Sequence, residues 1–262
     1  MNRDERLNAV LDLLADTGQL DVDDIIDKLG VSAATARRDL DSLANRKLLT
    51  RTRGGATAQS VAYDLPLRYK REQYEPQKLR IAEAASALVR RGDVVGLSGG
   101  TTSTAIATIL GARADLTTAS AQPGLTVVTN AINIAAQLLM RPQIKTVVTG
   151  GVVHGHSYEL VGPYSETVLE QIALDIAFVG VNGIDPLLGG SVHDEREASV
   201  NSLMGKRAGR AVIVADSSKI GRTVFATLTG GLDVFGTLIT DSGITTDQRA
   251  ALTEHGFEVI VA

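Results

Sequence analysis

Apolar residues recur at helical spacing along the first sixty positions. Leu7, Val10, Leu11 and Leu14 fall at i, i+3, i+4 and i+7, which predicts an amphipathic helix ended by Thr17-Gly18. Val22, Ile25, Ile26 and Leu29 repeat the pattern behind Asp21, a residue suited to a helix start, and Gly30 can take the left-handed conformation that stops it. Ser32 caps a third predicted helix with Ala36, Leu40 and Leu43 inward, so two short helices joined by Gly30-Val31-Ser32 make a helix-turn-helix. Leu49, Arg51 and Arg53 alternate onto one strand face, and Gly54-Gly55 permits a tight hairpin, a wing. These elements predict a domain over 1–56. Residues 57–77 are polar and weakly periodic, with Pro66 and Pro76, and predict a linker carrying a short helical stretch at 67–73.

From 78 to 262 helical stripes alternate with Val/Ile-rich runs. The stripes lie near 78–90, 102–111, 131–140, 164–173, 196–209 and 246–255. The runs lie near 93–97, 125–129, 145–149, 175–181, 211–215, 235–240 and 257–261. Such alternation predicts an α/β fold with a doubly wound, mostly parallel sheet, whose ligands bind at the carboxyl ends of the strands.

Composition narrows the class. Cysteine is absent, so disulfides, thiolate metal sites and a cysteine nucleophile are excluded. No apolar run approaches the roughly 18 residues that cross a bilayer, and the first residues lack a signal-peptide core, so a cytoplasmic protein is expected. The net charge of −4 hides a division: residues 28–56 hold seven Lys or Arg against two Asp, whereas residues 1–27 hold two Arg against eight acids. A basic block in an acidic chain suggests a local polyanionic partner, its plain alternative being a solvated helix face.

That block contains the candidate interface. Thr35, Arg37, Arg38 and Asp41 point away from the inner stripe of the third helix, and Ser32 stands at its start. Arginine pairs bidentately with guanine in a major groove, and threonine can touch a methyl or a phosphate. Arg51 and Arg53 in the wing are placed for phosphates or a minor groove. The other chemistry sits after the first run of the large domain, at Ser98-Gly99-Gly100-Thr101-Thr102-Ser103. Two glycines let backbone N–H groups converge, hydroxyls add donors and a helix N-terminus follows, which suits a phosphate. The stretch is neither a Walker A sequence nor a GxGxxG fingerprint, and an ordinary capped turn is its plain alternative. Later strand ends supply Asn130, Asn182, Asp185 and Lys219, with Glu197 on a following helix, as partners for sugar hydroxyls or a phosphate. His154-Gly155-His156 lacks a third ligand at metal spacing and reads as a polar loop, or as groups facing ligand hydroxyls. No metal and no cofactor is expected.

Val31-Ser32-Ala33-Ala34-Thr35-Ala36-Arg37-Arg38-Asp39-Leu40-Asp41-Ser42-Leu43, followed by Arg51-Thr52-Arg53-Gly54-Gly55-Ala56, resembles the N-terminal signature of the DeoR/GlpR family of bacterial transcriptional regulators. The likeness continues through Gly100-Thr101-Thr102, Thr129-Asn130, Gly150-Gly151, Gly162, Phe178-x-Gly180, Gly183-Ile184-Asp185, Glu197-Ala198, Asp216-Ser217-Ser218-Lys219 and Thr240-Asp241. Three positions depart from the family pattern: Ala36 replaces a larger aliphatic residue, Lys47 a glycine, and Ser98 the usual Asp. The resemblance implies a winged helix-turn-helix over 1–56 and an effector domain over 78–262 similar to ribose-5-phosphate isomerase and CoA-transferase folds. It also implies a repressor of carbohydrate catabolic genes, controlled by a phosphorylated sugar and binding an operator in double-stranded DNA as a homodimer or homotetramer. Residues 190–198 resemble the branch that handles amino sugars and galactitol-type substrates.

Two other readings compete. One is a sugar-phosphate isomerase-type enzyme with Asp185 or Glu197 as base and Lys219 stabilising an enediolate, which leaves the N-terminal reading head without a use. The other is an architectural DNA-bound protein without a ligand, which leaves the phosphate-like loop unexplained.

Overall fold

The computed structural model describes residues 2–17, 19–45, 48–57 and 74–262. The chain divides into two compact units, Met1–Leu65 and Pro66–Ala262. Most of the predicted linker, including its helical stretch at 67–73, lies outside the described residues, as does Lys47.

In the first unit α1 (Arg3–Thr17), α2 (Val22–Leu29) and α3 (Ala33–Asn45) pack around Leu7, Val10, Leu11, Leu14, Ile25, Ala36, Leu40 and Leu43, all buried. Gly30 ends α2 at φ 64° and donates its N–H to Ile26. The wing is β2 (Thr50–Arg51) paired antiparallel with β3 (Gly55–Thr57), and it is joined by a strand the hydrophobic pattern does not predict, β1 (Gln19–Asp21). Leu20 is the sole apolar residue of β1, too little for a periodicity to register.

The second unit opens with α4 (Glu75–Ala87), three residues earlier than the apolar stripe suggests, because Pro76 sits in its first turn, where no N–H is needed. Seven parallel strands follow the predicted runs: β4 (Val94–Leu97), β5 (Leu125–Thr129), β6 (Ile144–Val148), β9 (Leu174–Gly180), β12 (Ala208–Val214), β14 (Thr237–Thr240) and β15 (Glu258–Val261). Their order across the sheet is β15-β14-β12-β9-β4-β5-β6. Ile176, Phe178, Val212 and Val214 enter the core that Ile81, Ala85, Ile106, Leu110, Ile134 and Leu138 complete. Ala177 on β9 points the other way, towards Val200 and Met204, and Ala211 and Ile213 on β12 share a cluster with Phe235 and Leu252. Both faces of the inner strands are covered, which is why they read as Val/Ile-rich runs.

Helices α5 (Thr101–Ala112) and α7 (Ile132–Leu138) cover one face, and α9 (Glu195–Lys206) packs on the other. The other helices are α6 (Ala114–Thr117), α8 (Pro163–Glu170), α10 (Gly231–Phe235) and α11 (Thr246–Glu254). Two antiparallel additions fall outside the predicted pattern: the hairpin of β7 (Val152–His154) with β8 (Glu159–Val161), and a small sheet of β10 (Gly183–Asp185), β11 (Gly189–Val192) and β13 (Ala226–Thr227). The chain leaves β4 towards β5 on one side and β9 towards β12 on the other. The switch point of the sheet therefore lies between the carboxyl ends of β4 and β9, the place where doubly wound sheets hold ligands.

Candidate functional site

On α3 the Ser32 hydroxyl accepts the Thr35 N–H at 3.3 Å and lies 3.0 Å from the Thr35 hydroxyl, so it caps the helix as the sequence predicts. Arg37 and Arg38 are exposed. Arg38 lies back along the helix, its Nε donating to the Ala34 carbonyl at 3.3 Å. The next residue turns inward: Asp39 is buried and accepts two hydrogen bonds from Arg6 on α1, at 2.5 and 3.2 Å. The run Arg37-Arg38-Asp39 thus presents two cations outward and uses its acid to anchor the helix.

The wing corrects one detail of the sequence reading. The ladder of β2 stops at Arg51, so Leu49, Arg51 and Arg53 do not share one continuous strand face. Leu49 is buried, Arg51 is half-buried, and Arg53 stands exposed in the turn closed by the Thr52 N–H to the Gly55 carbonyl. Arg51 donates from Nε to Asp41 on α3 at 3.0 Å and from Nη1 to the Gly55 carbonyl. Its guanidinium ties the wing to the third helix, and Arg53 is the wing arginine that faces outward.

In the second unit, residues 98–103 leave β4 at the switch point and enter α5. Ser98 is buried; its hydroxyl accepts the Gly180 N–H at 2.9 Å and thereby continues the contact between β4 and β9 by one residue. A carboxylate here, as in the family pattern, would face the same N–H but bring a charge into a buried position. Gly100 has φ 105°, in the region that favours glycine, and starts α5. The first N–H groups of the helix have no intrahelical acceptor and sum with its dipole to favour an anion. Thr102 and Ser103 are buried, and the Ser103 hydroxyl has no hydrogen-bond partner among the described residues.

Two further predicted residues converge on this loop through a residue the sequence reading did not select. Asn130, at the end of β5, donates from Nδ2 to Glu159 at 3.0 Å. Glu159 lies against the loop so closely that a Cβ on Gly99 would stand 2.3 Å from its Cγ. Glu197, buried on α9, accepts from Ser157 and bonds His154 Nδ1 at 2.6 Å. His154 Nε2 is 3.8 Å from Asp194, whose carboxylate caps α9 and binds Arg196 at 2.7 Å. The hydrogen bond to Glu197 raises the His154 pKa against the opposing effect of burial. Arg196 lowers that of Asp194. Burial, then the charge of Glu197, pushes the Glu159 carboxyl well above the usual carboxylate range, with Asn130, Asn201 and the Gly99 backbone opposing. A signal for Glu159 is visible in the chain. Val152-Val153-His154 and Glu159-Leu160-Val161 flank a four-residue polar turn, and a hairpin there registers His154 opposite Glu159, as the structure has it.

The remaining candidates lie on the small sheet and its neighbour. Asn182 donates its backbone N–H to Ser191 and is half-buried. Asp185 accepts the N–H groups of Leu187 and Leu188 at 2.9 and 3.0 Å, so its carboxylate holds the turn from β10 to β11. Lys219 is half-buried on a 3-10 turn, Ser217–Lys219, pinned by Asp216 and by Asp241. A bridge between Ile184 and Ile220 sets that turn beside β10.

A helix-turn-helix with an outward basic face, and a separate doubly wound unit with an open helix start at its switch point, define a DNA-binding regulator with a sensor domain. Residues 6–61 match the DeoR-like helix-turn-helix domain and residues 73–242 the DeoR C-terminal sensor domain, and the chain belongs to the DeoR family of transcriptional regulators. The HTH-type transcriptional regulator GlpR of Haloferax volcanii is 32% identical over 264 residues, covering 98% of this chain and 96% of that one. The putative aga operon transcriptional repressor of Escherichia coli O157:H7 is 30% identical over 262 residues, covering 98% and 93%. The glycerol-3-phosphate regulon repressor of Escherichia coli K12 is 25% identical, covering 99% of each chain. Among solved structures, a D-ribose-5-phosphate isomerase in complex with phospho-erythronic acid aligns at TM-score 0.41 and 19% identity, over 55% of this chain and 53% of its own. The family assignment places the chain among regulators, and the isomerase reading gives way to it. Among the described residues no helix is long and apolar enough to cross a membrane.

Proposed function

We propose that the protein represses carbohydrate catabolic genes and that a phosphorylated sugar bound at residues 98–103 modulates its hold on the operator. Thr35, Arg37 and Arg38 meet base edges or phosphates of double-stranded DNA, Ser32 meets a phosphate at the helix start, and Arg53 reaches the backbone or minor groove beside it, with Arg51 shaping the wing. The observation that carries the effector half is the loop at the switch point, where the buried Ser103 hydroxyl at the start of α5 has no hydrogen-bond partner among the described residues. Asn130, Asn182, Asp185, Glu197 and Lys219, at or after later strand ends, are the partners proposed for the sugar. The relative named for glycerol 3-phosphate supports a phosphorylated ligand, and the likeness of residues 190–198 supports an amino sugar within that class. Paired half-sites call for a homodimer or homotetramer.

The test is fluorescence anisotropy on DNA upstream of the gene and its neighbours at two salt concentrations, followed by a panel of sugar phosphates that includes amino-sugar phosphates and glycerol 3-phosphate. Tight, salt-sensitive binding released by one compound is the expected result. Specific binding that no phosphorylated compound alters would remove the effector half of the proposal.

A further inference from the structure

We propose that Glu159 is the positioning residue of the loop at 98–103, and that its carboxyl group takes up one proton when an anion occupies that loop. This rests on the reading of the loop as an effector phosphate site.

The geometry begins at Gly99. Glu159 occupies the space a side chain would need there, its Cγ and Oε1 lying 2.3 and 2.4 Å from the place of a Cβ. The carboxyl group therefore buttresses the loop at Gly99. A dianion cradled above and a carboxylate held beneath the same backbone repel each other, and burial leaves little water to screen them. Binding is relieved if Glu159 becomes neutral.

The groups facing Glu159 identify it as the acid that changes state. From α9 come Glu197 and the amide of Asn201; from the hairpin come His154, opposite in register, and Ser157; from β5 comes Asn130. Glu197 already has a hydrogen-bonding partner in His154, on which His156 stacks at 5.8 Å, and Asp194 has Arg196. Glu159, by contrast, is held by the amide of Asn130. Asn130 supplies the second argument. It is fully buried, and its Oδ1 has no partner among the described residues. Rotating the amide by half a turn lets Oδ1 accept the Glu159 O–H in exchange for the Nδ2 bonds to Glu159 and the Leu160 carbonyl, so Asn130 can partner either protonation state. The balance is simple: dianion, ionised Glu159 and one solvent proton give a bound dianion over a neutral carboxyl, the Glu159 O–H being the one covalent bond formed.

The experiment uses the full chain and sulfate, whose charge is constant between about pH 5.5 and 8.5, so that the ligand contributes no proton of its own. Sulfate affinity is read from thermal midpoints, and proton uptake from calorimetry in two buffers of different ionisation enthalpy. The wild type is expected to take up close to one proton per sulfate at alkaline pH and to lose up to about tenfold in affinity per pH unit there. Glu159→Gln, which copies the neutral form, is expected to bind sulfate at least as tightly as the wild type at its best pH, with no uptake and no slope. Three results would overturn the proposal: no proton uptake by the wild type, which needs no variant to fold; a slope that survives in Glu159→Gln and vanishes in His154→Gln; or a folded Glu159→Gln that no longer binds sulfate. If neither sulfate nor inorganic phosphate shifts the midpoint of any form at any pH, the anion-loop reading fails and this inference falls with it, a pattern distinct from the other three.

Discussion

At the scale of the residue, the clearest demand is made by Asp39. The inner stripe of α3 runs through Ala36, Leu40 and Leu43, and position 39 lies on it, so the period of the helix already places an acid in the core. Its partner, Arg6, is not legible at that distance in sequence, because nothing local says which cation returns to it. Arg6→Met removes that partner and leaves a buried carboxylate, and should cost about 3–5 kcal/mol in urea unfolding of the first unit. The two wing arginines should separate as well. Arg53→Ala should reduce the salt slope of operator binding by about one, as for a lost phosphate contact, whereas Arg51→Ala should also lower stability, because its bonds to Asp41 and Gly55 are internal. His154 gives a pH dependence. Its pKa is raised on folding, so the stabilisation it draws from Glu197 is present in full below its ordinary value and fades as pH rises through the higher folded value. His154→Gln should therefore lower the thermal midpoint more at about pH 6 than at about pH 9; an equal loss at both would place its contribution in packing alone.

At the scale of the element, the strands of the large sheet were legible because the inner ones are buried on both faces, which writes them as Val/Ile-rich runs. The strands that escaped are those for which burial writes no such signature. β10 and β11 carry Gly183, Gly189 and Gly190, residues of poor strand propensity, and β7 leaves Val152 and Val153 exposed. The site shows the same division. Residues 98–103 are contiguous and stood out as a loop between strand and helix, while the group beside them is assembled from a hairpin, a helix and a strand end of remote sequence. Two glycines test these elements. A Cβ on Gly55 would lie 2.0 Å from the Leu20 carbonyl, so Gly55→Ala should separate β3 from β1 and weaken operator binding and unfolding stability together. Gly99→Ala meets Glu159 instead, and should blunt the response to effector while operator affinity stays within about twofold.

At the scale of the whole molecule, the two units assign separate tasks to separate cores. Thr101→Val and Lys219→Ala should leave operator affinity unchanged and dull its response to ligand, which anisotropy with and without effector measures directly. A saturating effector should raise the stability of the second unit by about 2.7 kcal/mol at a hundred times its dissociation constant, and calorimetry that finds no shift would deny it a site there. The order of strands has a consequence for how the protein is made. β4 stands in the middle of the finished sheet, yet its second neighbour, β9, is encoded some eighty residues later. During synthesis at about 5–20 residues per second, β4 is an open edge for roughly 4–16 s, backed by a half-built core with Val95 and Leu97 beside it. A chain stopped before Leu174 should keep the winged unit folded and yet aggregate through that edge. The strand that leads into residues 98–103 is thus, on the ribosome, the one most in need of protection from other nascent chains.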